Sequence, residues 1–474
     1  MALSVTELKA QSVKKIQSKW RKIVTDIPAP DSLPAIKALR AVEPISMQGM
    51  PPILWKEAEG FLVRDGYDNQ WIDLTSGIVM ANAGHNHPKI RQAIHEAVDR
   101  KLLFSYAFPA EARSKLLHKL VALSPIADSK ALLFSAGTEA TECAMSLMRR
   151  YGKNISSYKV GILSFMDSYH GRTLGAQLAA GFPNADDWIQ KEQVGHYQIP
   201  FPFCPRCPWG KEKYDNCGEF CFQKCLNDLK KRGICPDKIA GIIAEPLPGW
   251  ATWPMPKDFC KALKKWAEEY KILLTFDEIQ AGCGRTGKFF AFEHLGIIPD
   301  LITLGKGLTS SLPVSAVIGT KEIMDEPAPG QMSSTHSGNP VCAAAALACL
   351  EVIEEEKLID ASAKTGAAVL EQLKNLQNEF PEHFFSIHGK GLFISAHFKK
   401  IKDGKYVCDI GLADAIVYEA VRRGVMMFPT GRGFLKITPP LCIDLEAALE
   451  AVNVIRDCFM VFVDVWRKYA DAEK

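Results

Sequence analysis

The stretch Leu301-Ile302-Thr303-Leu304-Gly305-Lys306-Gly307-Leu308 (LITLGKGL, residues 301–308) decides the fold. Its first four residues read as a short buried strand, and Gly305 stops the run. A Lys between two glycines directly after such a strand is poorly explained as a surface charge. Two earlier stretches have the same form: residues 239–244 end at Glu245, and residues 272–276 end at Asp277 and Glu278. Three expected strands therefore each deliver an ionisable residue to one edge. In a parallel sheet, ligands bind beyond the carboxyl ends of the strands, so this edge is where a site belongs.

Outward from that edge, short apolar runs alternate with helical patterns from residue 131 onward, the signature of stacked βαβ units. The clearest strands are 131–134, 160–165, 239–244, 272–276, 301–304 and 315–318. They are largely apolar, as in a sheet covered on both faces. Helices are expected over 89–98, 139–151, 342–354 and 445–469. Residues 391–397 and 434–437 read as strands of a smaller lobe. Residues 61–74 read as a hairpin around 65–69. Residues 28–34 (PAPDSLP) read as a linker after a leading surface helix over 1–26. The expected fold class is α/β, a mainly parallel central sheet with a smaller α+β lobe. The expected division is residues 1–65 joining the small lobe, 66–340 as the large domain with a Cys-rich insert near 201–236, and 341–474 as the small C-terminal domain.

The chain has 474 residues, of which 47% are hydrophobic and 23% charged, with a net charge of +3. That length asks for more than one lobe, and the charge balance argues against nucleic acid or a membrane surface as partner. No apolar run is long enough to span a bilayer. Residues 1–26 lack a secretory apolar core and carry one Arg, Arg21. The 14 cysteines are mostly scattered, which fits reduced thiols in the cytoplasm.

A lysine at such a strand end can be desolvated, and burial lowers its pKa toward a neutral amine. A neutral amine can condense with a carbonyl cofactor as a Schiff base. Pyridoxal 5'-phosphate also needs an acid beside its ring nitrogen, and Asp277 is placed for it. Singly, Asp277 reads equally well as a helix cap and Lys306 as a loop charge. Gly137 and Thr138 follow a strand and open a helix, where free N–H groups and the dipole favour a phosphate. Tyr169 or His170 could stack on a flat ring, and Arg172 could hold a carboxylate bidentately. A polar turn with a surface Arg is the blander reading of that motif.

Together these residues resemble the class III aminotransferases of fold type I, the ornithine and 4-aminobutyrate type. The matching text is residues 73–88 (DLTSGIVMANAGHNHP), 134–142 (FSAGTEATE), 169–173 (YHGRT), Glu245-Pro246, 275–287 (TFDEIQAGCGRTG), 304–308 (LGKGL) and 334–345 (STHSGNPVCAAA). The resemblance implies Lys306 as the Schiff-base lysine and Asp277 at the pyridine nitrogen. It implies Gln280 at the ring hydroxyl, Gly137 and Thr138 at the phosphate, and Glu245 and Tyr169 or His170 within the cofactor site. Thr335 would reach the phosphate of a partner subunit, which makes a homodimer with shared sites. Ile78 would line the substrate pocket.

Departures from the family pattern fall on the substrate side. Relatives carry a Glu where Trp250 stands, and an Arg where Lys436 stands in FLKITPPL (434–441). The usual Glu–Arg switch is therefore absent, while Arg172 remains. The expected reaction moves the amino group of a 4-aminobutyrate-like amine to a 2-keto acid by ping-pong chemistry, with Lys306 as base and acid. The competing reading is an amino-acid racemase of the same family. A different class, a metal-bound scaffold, rests on Cys204 and Cys207 (CxxC) followed by Cys217 and Cys221. Free thiols in a long loop outweigh that option, so no metal is expected. Cys143, Cys342 and Cys349 read as core.

Overall fold

A computed structural model describes residues 8–181, 191–211 and 217–472, with side chains of the last helix described to Val463. Contacts divide the chain into two units, Pro88–Ile359 and Met1–His87 with Asp360–Lys474.

The first unit is built on a seven-stranded sheet. Its spatial order is Ser129–Phe134, Ser315–Thr320, Leu301–Leu304, Leu273–Asp277, Ile239–Ala244, Gly161–Phe165 and His196–Ile199. Ser315–Thr320 runs antiparallel to both neighbours, and the other pairings are parallel. Every residue of Ile239–Ala244, Leu273–Asp277 and Leu301–Leu304 is buried, which explains their unbroken apolar text. The helix Gly137–Ile155 presents Ala140, Cys143, Ala144, Leu147 and Met148, a three-to-four residue spacing, to Ile162, Ile243, Leu301 and Val317. Each fully buried Leu or Ile there contributes about 1.5–3 kcal/mol. The helix approaches so closely that a Cβ on Gly241 would lie 2.0 Å from Met148 Sδ.

The second unit holds two sheets. One orders Ile16–Gln17, Lys22–Ile23, Gln70–Asp73, Leu62–Asp65 and Trp55–Glu59, with Val425–Met426 parallel to Gln70–Asp73. The expected hairpin is here, in the register Leu62↔Ile72, Val63↔Trp71, Arg64↔Gln70. The other sheet joins Phe384–Lys390, Phe393–Lys402 and Lys405–Cys408, with Phe434–Ile437 against Phe393–Lys402. The strand expected over 391–397 thus starts later and runs longer, because Gly391 at φ +52 makes the turn.

Several expectations need correction. The leading helix is not formed over residues 8–26: Ile16, Ile23 and Ile27 pack on Trp71 and Met426, and short strands carry them there. Residues 1–7 lie outside the described residues. Residues 28–34 are no bare linker, since a 3-10 turn Pro30–Ser32 runs into the helix Leu33–Val42. The expected boundary at 65/66 would cut the hairpin, so this division falls after His87 instead. The boundary at 340/341 would strip off the helix Pro340–Glu355, which packs on Pro88–Asp99 and Glu111–Leu123 within the first unit. Among the elements not foreseen are the helices Glu111–Leu123 and Gly218–Lys231 and the strands His196–Ile199 and Phe384–Lys390. Among the described residues, no helix is long and apolar enough to cross a membrane.

Candidate active site

The first unit brings the strand-end residues together. Asp277 ends its strand and is almost fully buried. Its Oδ1 accepts the Ile279 N–H at 3.0 Å and the Thr303 hydroxyl at 3.1 Å, and its Oδ2 meets His170 Nδ1 at 2.7 Å. A carboxylate only accepts, so the His170 proton lies on Nδ1. His170 Nε2 is buried without a partner among the described residues. Thr303 was not singled out in the sequence; its signal is a hydroxyl inside a buried apolar strand. Glu245 is also buried. Its oxygens accept the Tyr169 N–H at 2.8 Å and the Gly249 N–H at 2.9 Å. Burial raises its pKa, His170 lowers it and Asp277 raises it again. Glu245 thus braces the turn that carries Tyr169 and His170.

Lys306 follows at φ +42, a left-handed conformation that L side chains adopt rarely, and opens the short 3-10 turn Lys306–Leu308. The residue keeps some exposed surface, yet burial lowers its ammonium from the ordinary Lys range, with Asp277 and Glu245 opposing that shift. The Lys306 amine lies 5.8 Å from the Tyr169 ring centroid, and the Arg172 guanidinium lies 5.6 Å from the same ring. The geometry separates two residues the sequence left as alternatives: His170 is tied to Asp277, and Tyr169 is the ring beside Lys306 and Arg172. Glu278, the third strand-end acid, turns inward. It accepts the Ala291 and Phe292 N–H groups, and burial pushes its pKa up to about 8.

Opposite these residues, the helix Gly137–Ile155 begins. Its first N–H groups, on Gly137 and Thr138, have no place in the helix's own hydrogen-bond ladder. Glu139 takes the Ser135 and Ala136 N–H groups, each at 2.9 Å. Thr138 and Thr173 share a hydroxyl contact of 2.6 Å, and the Thr173 hydroxyl donates to Glu142 at 2.7 Å. Thr173 and Glu142 were not picked out as site residues; only the Thr ending YHGRT hinted at them. Gly171 allows this closeness. It sits at φ +136, and a Cβ there would stand 2.2 Å from Thr138 Oγ1. Gly171→Ala is therefore expected to push Thr138 aside and to weaken retention of an anion at this helix start by roughly tenfold, the scale of one charge-assisted hydrogen bond. Equilibrium dialysis measures it, with circular dichroism as the folding control. Unchanged retention would remove Thr138 from the cradle.

These features match the needs of a phosphorylated aldehyde with a flat ring: an amine of lowered basicity, a buried carboxylate, an aromatic face, and open N–H groups at a helix start. Gln280 is half-buried and directly follows Ile279, whose N–H bonds Asp277. Thr335 is exposed in a turn before the helix Pro340–Glu355. Trp250 stacks edge-on against Phe203 at 5.2 Å and Phe201 at 6.1 Å, and its Nε1 is buried without a partner among the described residues. Ile78 and Lys436 belong to the other unit. Ile78 is 38% exposed within a left-handed turn, Ser76 to Val79, with φ values of +49, +57, +70 and +63. Lys436 is buried in Phe434–Ile437, its amine 5.1 Å from the Phe393 ring.

Cys204, Cys207, Cys217 and Cys221 line one small cavity, yet among the described residues no three His, Cys, Asp or Glu side chains stand ready to hold a metal ion. The reason lies in the unforeseen helix. Cys221, Phe222, Cys225 and Leu229 form its buried face, and Phe222 packs on Phe259 at 5.4 Å. There the thiols act as small apolar groups. Cys143 and Cys349 are core as expected, while Cys342 is only half-buried.

Comparison with known proteins agrees with this geometry. Residues 45–459 match the family described as Aminotransferase class-III. The chain is 35% identical over 412 residues to a leucine/methionine racemase of Thermococcus litoralis, covering 85% of this chain and 89% of that protein. It is 33% identical to an alanine/serine racemase of Pyrococcus horikoshii, covering 94% of each. A solved thermostable (S)-enantioselective omega-transaminase from Thermomicrobium roseum superposes with a TM-score of 0.82 at 25% identity, covering 90% of this chain and 98% of that one.

Proposed function

Because the chain belongs to the class-III aminotransferase family, whose enzymes use pyridoxal phosphate, we propose that it transfers the amino group of an ω-amino acid to a 2-keto acid. When bound, the cofactor supplies an aldehyde for amines and an electron-withdrawing ring. Lys306 would hold it through Nζ, Gly137 and Thr138 would take its phosphate, and Asp277 would face its ring nitrogen. Tyr169 would cover the ring and Gln280 would reach its hydroxyl. Glu245 and His170 position these groups through Tyr169 and Asp277. Lys306 Nζ, once free, takes the proton from the amino-bearing carbon of the substrate and delivers it on the same face. Arg172 grips the substrate carboxylate, with Trp250 shaping the rest. Thr335, exposed in one chain, would complete the site of a second copy, so the proposal includes a homodimer. The location proposed is the cytoplasm, since the 14 cysteines are all free.

The observation that carries this reading is the commitment of both carboxylates beside Lys306. Asp277 holds three donors and Glu245 holds two. Neither is available as a second base, and same-face transfer by one amine suits transamination. Racemisation is the second reading. Two relatives carry that name, and it would need a proton carrier opposite Lys306; the buried, unpartnered Nε2 of His170 is the candidate.

The test incubates holoenzyme with single amino acids, with and without a 2-keto acid. Transamination consumes stoichiometric keto acid and stops after one half-reaction per site without it. Steady formation of the D-isomer without keto acid would establish the racemase instead. Arg172→Ala is expected to raise KM for carboxylate donors roughly tenfold to a hundredfold, from loss of a charge-assisted pair. It should leave KM for amines lacking a carboxylate unchanged; equal effects on both would remove Arg172 as the clamp.

A further inference from the structure

The helix Gly137–Ile155 carries a second polar region beyond its start. Glu142, Ser146, Arg149, Arg150, Lys153 and His196 line a cavity of about 300 Å³ within the first unit. Gly137, Thr138 and Tyr169 are not among its walls.

Arg149 is its unusual member. Its Nη2 donates to His196 Nε2 at 2.8 Å and, weakly, to the Val194 carbonyl at 3.5 Å. A guanidinium only donates, so His196 Nε2 is the unprotonated nitrogen and carries no charge toward Arg149. Arg149 Nε is buried and has no partner among the described residues. Among the described residues no carboxylate pairs with this guanidinium. Glu142 acts on it only through space: its Oε1 accepts the Thr173 hydroxyl at 2.7 Å and the Ala176 N–H at 3.0 Å, and it forms no ion pair with the guanidinium. Burial lowers the Arg149 pKa, with Glu142 opposing. The neighbouring Arg150 differs, with Glu326 at 3.4 Å and Gln331 at 3.1 Å.

A cation that is partly desolvated and lacks a counter-ion is costly to keep. An apolar side chain of the same length would fill the place more cheaply, unless something brings the missing negative charge. The cavity has room for it, and Lys153 adds a second cation to the wall. The Nε–H and the free guanidinium N–H groups form a fork that matches two oxygens of one anion.

We infer that this cavity is a second binding site, which takes a small oxyanion, a carboxylate or a phosphate group, as the counter-ion of Arg149. It is separate from the helix-start cradle and does not depend on the reaction proposed above.

The experiment uses cofactor-loaded enzyme, so that the cradle is filled and cannot take the probe. Inorganic phosphate and malonate are titrated separately by calorimetry in chloride buffer. Saturable binding near one per chain is expected. Arg149→Met and Lys153→Met should each weaken it, the first by roughly tenfold or more, as for a lost charge-assisted hydrogen bond. Binding of phosphate alone, of malonate alone, or of both supports the site and tells which oxyanion it prefers. Melting temperature should rise with the bound anion in the parent enzyme and not in Arg149→Met. Turnover without added anion should be unchanged in both variants. Absence of binding by both probes, or binding undiminished in Arg149→Met, overturns the inference.

Discussion

Lys306→Ala is expected to lower kcat by at least about 10⁴-fold, the upper range for loss of a positioned general base. The replacement removes the amine that holds the cofactor and the group that moves the substrate proton. Lys306→Arg is the sharper control. It keeps a positive charge at the same strand end, but a guanidinium stays protonated and offers no free amine. Both variants should therefore be inactive, whereas a role limited to charge would spare the Arg form. Borohydride treatment of the parent holoenzyme followed by peptide mass analysis should place the cofactor on Lys306. Turnover of Lys306→Ala within tenfold of the parent, or labelling of a different lysine, would end the proposed mechanism.

Asp277→Asn is expected to reduce kcat by about 10²–10³-fold, the scale for removing one preorganised electrostatic partner from a buried site. Asn keeps the shape and can still accept from Ile279 and Thr303. It cannot offer a second anionic oxygen to His170 Nδ1, so the 2.7 Å pairing must reorganise. The change also reaches Lys306. Asp277 opposes the lowering of the Lys306 pKa by burial, so its neutralisation should move that pKa further down. In cofactor-free protein, the amine should then become reactive toward an acylating reagent at lower pH than in the parent. A reactivity profile shifted to higher pH, or unmoved, would show that Asp277 does not sense the lysine. Full activity in Asp277→Asn would remove it as the ring partner.

Much of the large unit was legible in the text because the signals there are local. Ile239–Ala244 and Leu301–Leu304 are short apolar runs ended by Glu and Gly, and each is a strand with those bounds. The order of strand and helix from residue 131 onward follows from the same periodicity. Where the text failed, a local pattern admitted two uses. The cysteines at 217, 221 and 225 look like ligand spacing, but three-to-four residue spacing is also that of a helix face. Residues 8–26 carry enough Lys and Ser to suggest a surface helix, but Trp71 and Met426 draw Ile23 and Ile27 into strand-like contact.

The sequence by itself determined that Lys306, Asp277 and Glu245 stand at strand ends on one edge, since each follows a buried run and chain direction does the rest. Only the tertiary structure decided which neighbour each one takes. His170 meets Asp277 across 107 residues, Glu245 reaches back 76 residues to the Tyr169 amide, and Gly171, in a loop, admits Thr138 from the helix Gly137–Ile155. Periods of two and 3.6 residues say which way a side chain points. They carry no information on which distant side chain arrives opposite it, because that depends on how whole elements pack.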